Sequence, residues 1–328
     1  MSTSIISRTN AAGLIPEEIS REIIQGATES SVVLRLVRRL ANMTSNQLVL
    51  NVLDALPTAY FVNGDTGMKK TTNMAWDKKR IYAEEIAVIV PIPEAVLDDA
   101  NYDIWGEVRP RISEAFGKVI DAAVLFGTNK PTSWRAGIVP SASSAGSTVT
   151  PSSGAGASIF QDIMGAGGVI AKIEEDGYDP NGVVSAIAMR AKLRGIVDSN
   201  GQPIFKEDFQ GDTNYALNGM PMYFPKNGAY DATAAQMIAG DWDQLVYSIR
   251  QDITFKLFTE GVVQDPSDNS IAYNLMQNDM VALRAVMRLG WEIPNPLTAY
   301  NAGITTPFPF AVYLPEGAEG ATGATGNG

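Results

Sequence analysis

Alternating apolar and polar residues predict two β-strands on either side of a polar segment in the first third of the chain. The first strand is LVLNVLDALPTAYFV (48–62), and the second is RIYAEEIAVIVPIP (80–93). Between them lies Asn63-Gly64, a pair that tolerates the positive φ angles of a hairpin turn. The pattern therefore predicts a long β-hairpin with a loose tip. An isolated two-stranded ribbon buries little surface, so this hairpin has no core of its own.

A four-residue repeat of apolar positions predicts a long helix from about Asn101 to Phe126. The repeating residues are Ile104, Val108, Ile112, Phe116 and Ile120. With a rise of 1.5 Å per residue, this helix would be about 39 Å long. Pro110 is expected to kink it or to mark a join between two helices, and Gly127 is expected to end it as a C-cap.

A second helical pattern covers SSVVLRLVRRLANM (30–43), upstream of the hairpin. Its apolar face consists of Val33, Leu36, Val37 and Leu40, and its other face consists mainly of Arg35, Arg38 and Arg39. Two interpretations of these arginines stay open. They form either a solvated charged face or a basic surface that contacts an acidic neighbour or nucleic acid.

The second half of the chain alternates between short helical and strand patterns, which is typical of an α+β core. The Ser/Gly-rich segment 140–158 is predicted to be an exposed loop, and the Gly-rich tail 317–328 to be disordered. Helices are predicted at 159–176 and 188–197. Strands are predicted at 183–187, 220–224, 234–240, 253–259 and 277–293, with a strand–turn–strand at 197–205.

The composition excludes several classes of function. The chain has 328 residues, of which 45% are hydrophobic, and its formal net charge is −11. A sizeable core is therefore available, and the acidic balance argues against nucleic-acid recognition as the main function. The sequence contains neither cysteine nor histidine. Disulfides, Cys-ligated metals, HExxH zinc sites and Ser-His-Asp catalysis are therefore excluded.

The sequence also lacks the common motifs of cofactor and metal sites. No P-loop, dinucleotide-binding fingerprint or EF-hand spacing occurs, so we predict no catalytic residue, cofactor or metal. An enzyme that uses only Asp, Glu, Lys, Tyr or Ser stays open as an alternative. The N-terminus has no signal-peptide pattern, and IAVIVPIPEAVL (86–97) is too short to span a bilayer. We therefore expect synthesis in the cytoplasm and no membrane partner, which disfavours a secreted adhesin.

Lys69 and Lys70, near the predicted hairpin tip, are a candidate for covalent chemistry. A lysine at this position could reach another subunit. With an asparagine from that subunit and a glutamate that excludes water, an isopeptide bond could form. The alternative is that the two residues are a solubilising pair of surface lysines.

The order of these elements resembles that of tailed-bacteriophage major capsid proteins with the Hong Kong 97-type fold. The resemblance covers roughly residues 14–315. The stretches that carry it lie at 55–100, ISEAFGKVIDAAVLFGT (112–128), LRGIVDSNGQPIF (193–205), LNGMPMYFP (217–225), 238–258 and MVALRAVMRLGWEIPNPLTAY (280–300). The implied fold class is α+β, with an N-terminal arm, an extended β-hairpin loop, a long spine helix, and peripheral and axial domains.

The resemblance also implies a division of the chain. Residues 1–44 would form the N-terminal arm and short helices, and residues 45–92 the extended hairpin loop and the start of the peripheral domain. Residues 93–158 would contain the spine helix, more of the peripheral domain and the exposed Ser/Gly loop. Residues 159–300 would be mainly the axial domain, returning to the peripheral domain near their end. Residues 301–328 would be a C-terminal segment with the Gly-rich tail.

In such shells the hairpin lies across a neighbouring subunit, which supplies the core that the hairpin lacks. The expected inter-subunit contacts are Phe61, Met68, Lys69, Lys70, Met74 and Trp76. Aromatic residues and methionine are enriched in the buried centres of interfaces, so Phe61, Met68, Met74 and Trp76 would be the anchors. The N-terminal segment would reach a neighbour in the same way.

The function implied is that of a major capsid protein that self-assembles into hexamers and pentamers of an icosahedral phage head around double-stranded DNA. Expected partners are further copies of the chain, a separate scaffolding protein, a portal and decoration proteins, with the DNA enclosed without sequence-specific binding. Many members begin with a charge-rich scaffolding segment that is cleaved during maturation, and this sequence starts only a few residues before the arm. We therefore expect scaffolding to be a separate protein or unnecessary. Assembly would occur in the host cytoplasm. The alternative is an encapsulin-type shell around cargo enzymes.

Overall fold

The computed structural model describes residues 31–62, 68–99, 104–152, 158–196, 216–265 and 267–317. Several predictions fall outside these residues. They are the N-terminal arm over 1–30, the Asn63-Gly64 turn, the strand–turn–strand at 197–205 and nearly all of the Gly-rich tail.

The described residues form short helices and strands around one long helix. The helices are α1 (Val32–Leu36), α2 (Glu94–Asp99), α3 (Ile104–Phe126), α4 (Ile138–Ala145), α5 (Ile159–Met164), α6 (Val169–Glu175) and α7 (Met189–Arg194). The first strands are β1 (Arg38–Arg39), β2 (Gln47–Ala55), β3 (Ala75–Tyr82), β4 (Glu84–Pro93), β5 (Thr148–Val149), β6 (Gly182–Ser185) and β7 (Ala216–Leu217). The others are β8 (Met220–Tyr223), β9 (Met237–Gly240), β10 (Val246–Phe258), β11 (Val262–Gln264), β12 (Ile271–Asn274), β13 (Met280–Glu292) and β14 (Phe310–Tyr313).

The strands form two larger sheets and two ribbons. A four-stranded sheet has the order β1-β10-β13-β4, and a six-stranded sheet has the order β5-β14-β9-β6-β8-β7. The ribbons pair β2 with β3 and β11 with β12, both antiparallel. The mixture of helices with mainly antiparallel sheets agrees with the predicted α+β class.

The long helix is confirmed in α3, which ends at Phe126. Pro110 lies inside it, and Gly127 follows it with a φ of 73°, as expected of a C-cap. The predicted apolar stripe is buried at Ile112, Phe116 and Ile120, which belong to one core cluster with buried residues of β13. The four-residue repeat therefore marks the face of the helix that packs into this core.

The strand pairing predicted for the hairpin is wrong. The partner of β2 is β3, with Leu48 opposite Ile81, and the predicted polar loop contains most of β3. Strand β4 instead pairs with β13 through ten residues, from Glu84–Leu289 to Pro93–Met280. Alternate residues of β4, namely Ile86, Val88 and Val90, pack against the main core, whereas β3 is largely exposed and shows little apolar alternation.

The helix predicted over 30–43 is also wrong beyond its first turn. Helix α1 ends at Leu36, and Arg38 and Arg39 form β1, which pairs in parallel with Val246 and Tyr247. The Leu40 N–H then donates to the Tyr247 carbonyl at 2.8 Å. Pairing with β10 therefore overrides the helical spacing, and the predicted helical face of Arg35, Arg38 and Arg39 does not form.

Two predictions in the middle of the chain need correction. The segment predicted as an exposed loop contains α4 and β5, and Ala142 is fully buried. The helix predicted over 159–176 is broken into α5 and α6. A Cβ atom at Gly168, between them, would lie 2.8 Å from the Gly165 carbonyl oxygen, so this tight connection requires glycine.

The strands predicted in the second half are confirmed as β6, β8, β9, β13 and residues 253–258 of β10. Helix α7 is confirmed within 188–197. Strands β5, β7, β11, β12 and β14 were not predicted. All four residues of β14 are buried, and this strand lies between β5 and β9 in the six-stranded sheet.

Candidate surfaces for self-association

The hairpin arm, defined here as residues 47–82, has one face that is covered in part and one face that is open. Directly opposite residues share a face of an antiparallel ribbon. One face contains Val52 and Ile81, which are both buried. The other contains Val49, Asn51, Trp76, Lys78 and Arg80, all exposed, and we call it the outer face of the hairpin arm.

The root of the hairpin arm is fixed to the four-stranded sheet. Gly290 of β13 lies against the chain at Ile81 and Tyr82, and a Cβ atom at position 290 would overlap the Tyr82 carbonyl. The Trp134 indole N–H donates to that carbonyl at 3.1 Å. The Ala83 N–H donates to the Asn46 carbonyl at 3.0 Å. These contacts set the direction in which the arm leaves the sheet.

We expect Gly290→Ala to weaken this root. The added methyl group would force the backbone at Tyr82 away from β13, at a cost of about 1–3 kcal/mol. Hydrogen exchange of the hairpin amides and the free energy of unfolding, measured on the unassembled subunit, check this. Gly303→Ala is the matched control, because a Cβ atom there meets nothing within 4 Å. Equal stability of the two variants would contradict the assignment.

The arm is supported along β2 and loses that support toward its tip. The Leu297 N–H donates to the Leu53 carbonyl at 3.0 Å. Beyond Ala55, the described tip residues are tied across the arm by two local hydrogen bonds. The Thr58 N–H donates to Thr72 Oγ1 at 2.9 Å, and the Tyr60 hydroxyl donates to the Lys70 carbonyl at 3.0 Å.

The predicted contact residues lie on this arm and are open to solvent. Exposure reaches 101% for Phe61, 85% for Met68 and 62% for Trp76, and Met74 is also exposed. Large apolar side chains exposed together on one element mark an interaction surface. The structure therefore places these residues where another molecule could cover them.

The two lysines near the tip differ in their surroundings. Lys70 Nζ lies 5.8 Å from the centroid of the Tyr60 ring, a cation–π distance, so this ammonium packs against its own arm. Lys69 is exposed and makes no hydrogen bond or ion pair with the residues that the structure describes. Lys69 is therefore the freer of the two to meet a neighbouring subunit.

The three predicted basic residues near the N-terminal end lie in different surroundings. The Arg35 guanidinium lies 5.4 Å from the centroid of the Tyr223 ring. Arg39 donates to Asn42 Oδ1 at 3.0 Å, and Arg38 is exposed next to it in β1. Arg35 is thus held against the body of the protein, while Arg38 and Arg39 follow the edge of the sheet.

Asp121 of α3 is a buried carboxylate that sequence reasoning missed. It accepts hydrogen bonds from Ser31 Oγ at 2.6 Å, Asn227 Nδ2 at 2.7 Å, and the N–H groups of Val32 and Val33 at 3.2 Å. Burial raises the pKa of Asp121, because the loss of solvation outweighs these hydrogen bonds. One side chain therefore joins the spine helix, the start of α1 and the loop after β8.

A second exposed apolar surface was also missed. It consists of α2, the β11–β12 ribbon and the adjoining turns, residues 94–99 and 259–280, and we call it the acidic end. These segments contain seven Asp or Glu residues and no Lys or Arg, a count that the sequence alone provides. Met276 is 73% exposed and Ile271 66% exposed. The sequence does not reveal that the start of α2 lies against the turn between β12 and β13, where the Glu94 N–H donates to the Asp279 carbonyl at 2.8 Å.

The described residues offer surfaces for association and no constellation typical of a metal site. Among them, no group of three or more carboxylates could hold a metal ion. No described helix is long and apolar enough to cross a membrane.

Comparison of the sequence with known proteins finds phage capsid proteins. The model of the phage capsid family matches residues 11–298. The major capsid protein of Staphylococcus phage 80alpha is 26% identical over 298 residues, which cover 86% of this chain and 82% of that protein. The probable major capsid protein gp17 of Mycobacterium phage D29 is 24% identical, covering 83% of this chain and 84% of that protein.

Two solved structures of chains from phages share this fold. A chain from Microbacterium phage Oxtober96 superposes with a TM-score of 0.77 and 34% identity, covering 95% of this chain and all of that one. A chain from Mycobacterium phage Adephagia gives a TM-score of 0.74 and 30% identity, covering 96% of this chain and all of that one.

The fold and its open arm define a structural subunit of a Hong Kong 97-type shell. The chain belongs to the phage capsid family. These comparisons favour the phage head over the encapsulin-type compartment considered above, because the relatives and structures described are phage proteins.

Proposed function

We propose that the chain assembles into hexamers and pentamers of an icosahedral head that encloses double-stranded DNA. The observation that carries this proposal is the hairpin arm, which is fixed at its root and exposes Phe61, Met68 and Trp76. Such an arm is stable when a neighbouring subunit covers its apolar residues. The chain's net charge of −11 suits a wall that contains DNA without adsorbing it.

The proposal extends to the partners and the organisation of the subunit. A separate scaffolding protein, a portal and decoration proteins would join the shell, which forms in the host cytoplasm and ends in the virion. Residues 45–92 would reach a neighbour, residues 93–158 would form the spine and peripheral region, and residues 159–300 would be mainly axial. An isopeptide bond at Lys69 or Lys70 stays a prediction, and denaturing electrophoresis of purified particles would detect it as covalent multimers.

Electron microscopy of the purified protein, paired with light scattering, tests the function. We expect closed, thin-walled particles or rings of subunits, alone or with the scaffolding protein. A monomer that persists across salt and protein concentration, even with a scaffolding protein added, would contradict the proposal.

A further inference from the structure

Three elements that meet at the buried Asp121 each carry one exposed cation close to their meeting point. The start of α1 donates two backbone N–H groups to Asp121, and Arg35 lies in the same helix. Asn227 donates to Asp121 from the loop after β8, and Lys226 directly precedes it. Lys118 lies one turn before Asp121 in α3. The three cations are all exposed, and we call them the spine patch.

The side chains of the spine patch converge on one stretch of chain. A Cβ atom at Gly228 would lie 3.7 Å from Lys118 Nζ, so this ammonium reaches the loop that carries Lys226. The Arg35 guanidinium lies 5.4 Å from the centroid of the Tyr223 ring, at the end of the strand that leads into the same loop. The end of β8 and the loop after it therefore bring the three positive charges to one part of the surface.

Within the part of the chain that the structure describes, no carboxylate forms an ion pair with the spine patch. Glu114, one turn before Lys118, is paired instead with Arg111 at 3.2 Å. Asp231 accepts hydrogen bonds within its own turn, and Asp121 is buried and accepts hydrogen bonds from neutral donors. The patch therefore presents three positive charges to another molecule, in a chain whose net charge is −11.

The surroundings of the spine patch suit phosphate groups better than a protein partner. The centre of a protein interface is apolar. Across residues 31–37, 111–126 and 223–230, which the structure describes throughout, Val119 is the one exposed large hydrophobic residue. Lysine and arginine side chains, by contrast, are the groups that bind DNA phosphates without reading the sequence. The spine patch therefore matches the backbone of a nucleic acid.

We propose that the spine patch contacts phosphate groups of the double-stranded DNA that the shell encloses. The inference rests on the proposed function, and it places the patch on the inner side of the shell. The chain as a whole is negative and repels DNA, so three cations in each subunit give weak, separate contacts rather than adsorption. Because the patch recurs in every subunit, it gives the DNA regularly repeated points of contact along the wall.

Binding of a short DNA duplex to the unassembled full-length subunit tests the contact. Fluorescence anisotropy over a series of salt concentrations gives the slope of log affinity against log salt, to which each phosphate contact contributes about −0.9. We expect Lys118→Gln/Lys226→Gln to make this slope shallower by about two and to weaken binding at low salt by about ten-fold or more. Both lysines are exposed, so the melting temperature of the variant should stay close to that of the wild type.

The matched control is Lys69→Gln/Lys256→Gln, which changes the net charge equally at two exposed positions, one on the hairpin arm and one in β10. We expect it to keep the slope of the wild type. An equal loss in the control would mean that binding follows net charge alone, and the proposal would be wrong. Equal slopes for the wild type and Lys118→Gln/Lys226→Gln, or a wild-type subunit that does not bind the duplex at low salt, would overturn it too.

The same variants separate this inference from the proposed function. If Lys118→Gln/Lys226→Gln binds DNA like the wild type but no longer assembles with the scaffolding protein, the partner of the spine patch is a protein and the inference is wrong. Wild-type particles that form while the DNA result is negative leave the capsid function standing. Wild-type protein that never forms particles would instead count against the proposed function itself.

Discussion

Replacing Asp121 with alanine is expected to lower the free energy of unfolding by about 3 kcal/mol or more. The variant leaves four donors without their acceptor: Ser31 Oγ, Asn227 Nδ2 and the N–H groups of Val32 and Val33. Each buried donor without a partner costs about 1–3 kcal/mol. Chemical denaturation of the unassembled subunit measures the total. Faster hydrogen exchange at Val32 and Val33 would show that the start of α1 is released.

The matched control for this variant is Asp231→Ala. Asp231 is exposed and its carboxylate accepts hydrogen bonds from Thr233 within its own turn. Solvent can replace that acceptor, so we expect a loss of less than about 1 kcal/mol. If Asp121→Ala is no more destabilising than Asp231→Ala, then Asp121 does not anchor the three elements.

The pH dependence of the free energy of unfolding provides a second test of the buried Asp121 carboxyl. Because burial raises its pKa above 3.8, the folded protein binds this proton more tightly than the unfolded chain does. Its contribution to stability is therefore complete below pH 3.8 and is lost as pH rises through the raised pKa. Asp121→Asn carries no such proton. The difference in unfolding free energy between wild type and Asp121→Asn should thus shift in favour of the wild type as pH falls from 7 toward 4.

Local periodicity made the spine helix predictable, and long-range pairing made its surroundings unpredictable. The buried stripe at Ile112, Phe116 and Ile120 repeats within the helix itself. By contrast, the donors to Asp121 come from Ser31, 90 residues away, and from Asn227, 106 residues away. No spacing in the sequence connects these positions. The same reason explains β1, whose strand geometry depends on β10 about 200 residues later.

The candidate surfaces, too, could be predicted from the sequence only in part. The hairpin residues Phe61, Met68 and Trp76 followed from the resemblance of the whole chain, and their exposure agrees with an interface role. Strand β3 was missed because its exposed residues alternate weakly between apolar and polar. The charge imbalance of the acidic end is visible in the sequence. Its two segments meet only because β4 pairs with β13, which places the start of α2 against the turn after β12.

Removing the apolar anchors of the hairpin arm should abolish assembly while leaving the subunit folded. In the variant Phe61→Ala/Met68→Ala/Trp76→Ala, little stability is lost because all three side chains are exposed in the subunit. In a shell they would be covered by a neighbour, and truncation of an aromatic anchor typically costs about 2 kcal/mol or more per contact. Two such losses raise the protein concentration needed for assembly by roughly a thousand-fold. Light scattering against protein concentration measures this threshold.

Two further measurements distinguish a loss of folding from a loss of the interface. The melting temperature of the triple variant should stay close to that of the wild type, since its core is unchanged. Tyr300→Ala removes an exposed aromatic ring outside the hairpin arm and should leave the assembly threshold within about three-fold of the wild type. Particles of the triple variant at the wild-type threshold would mean that the arm is not covered in the shell. The apolar tip would then need another partner, and the root formed by Gly290 and Trp134 would position it for that partner instead.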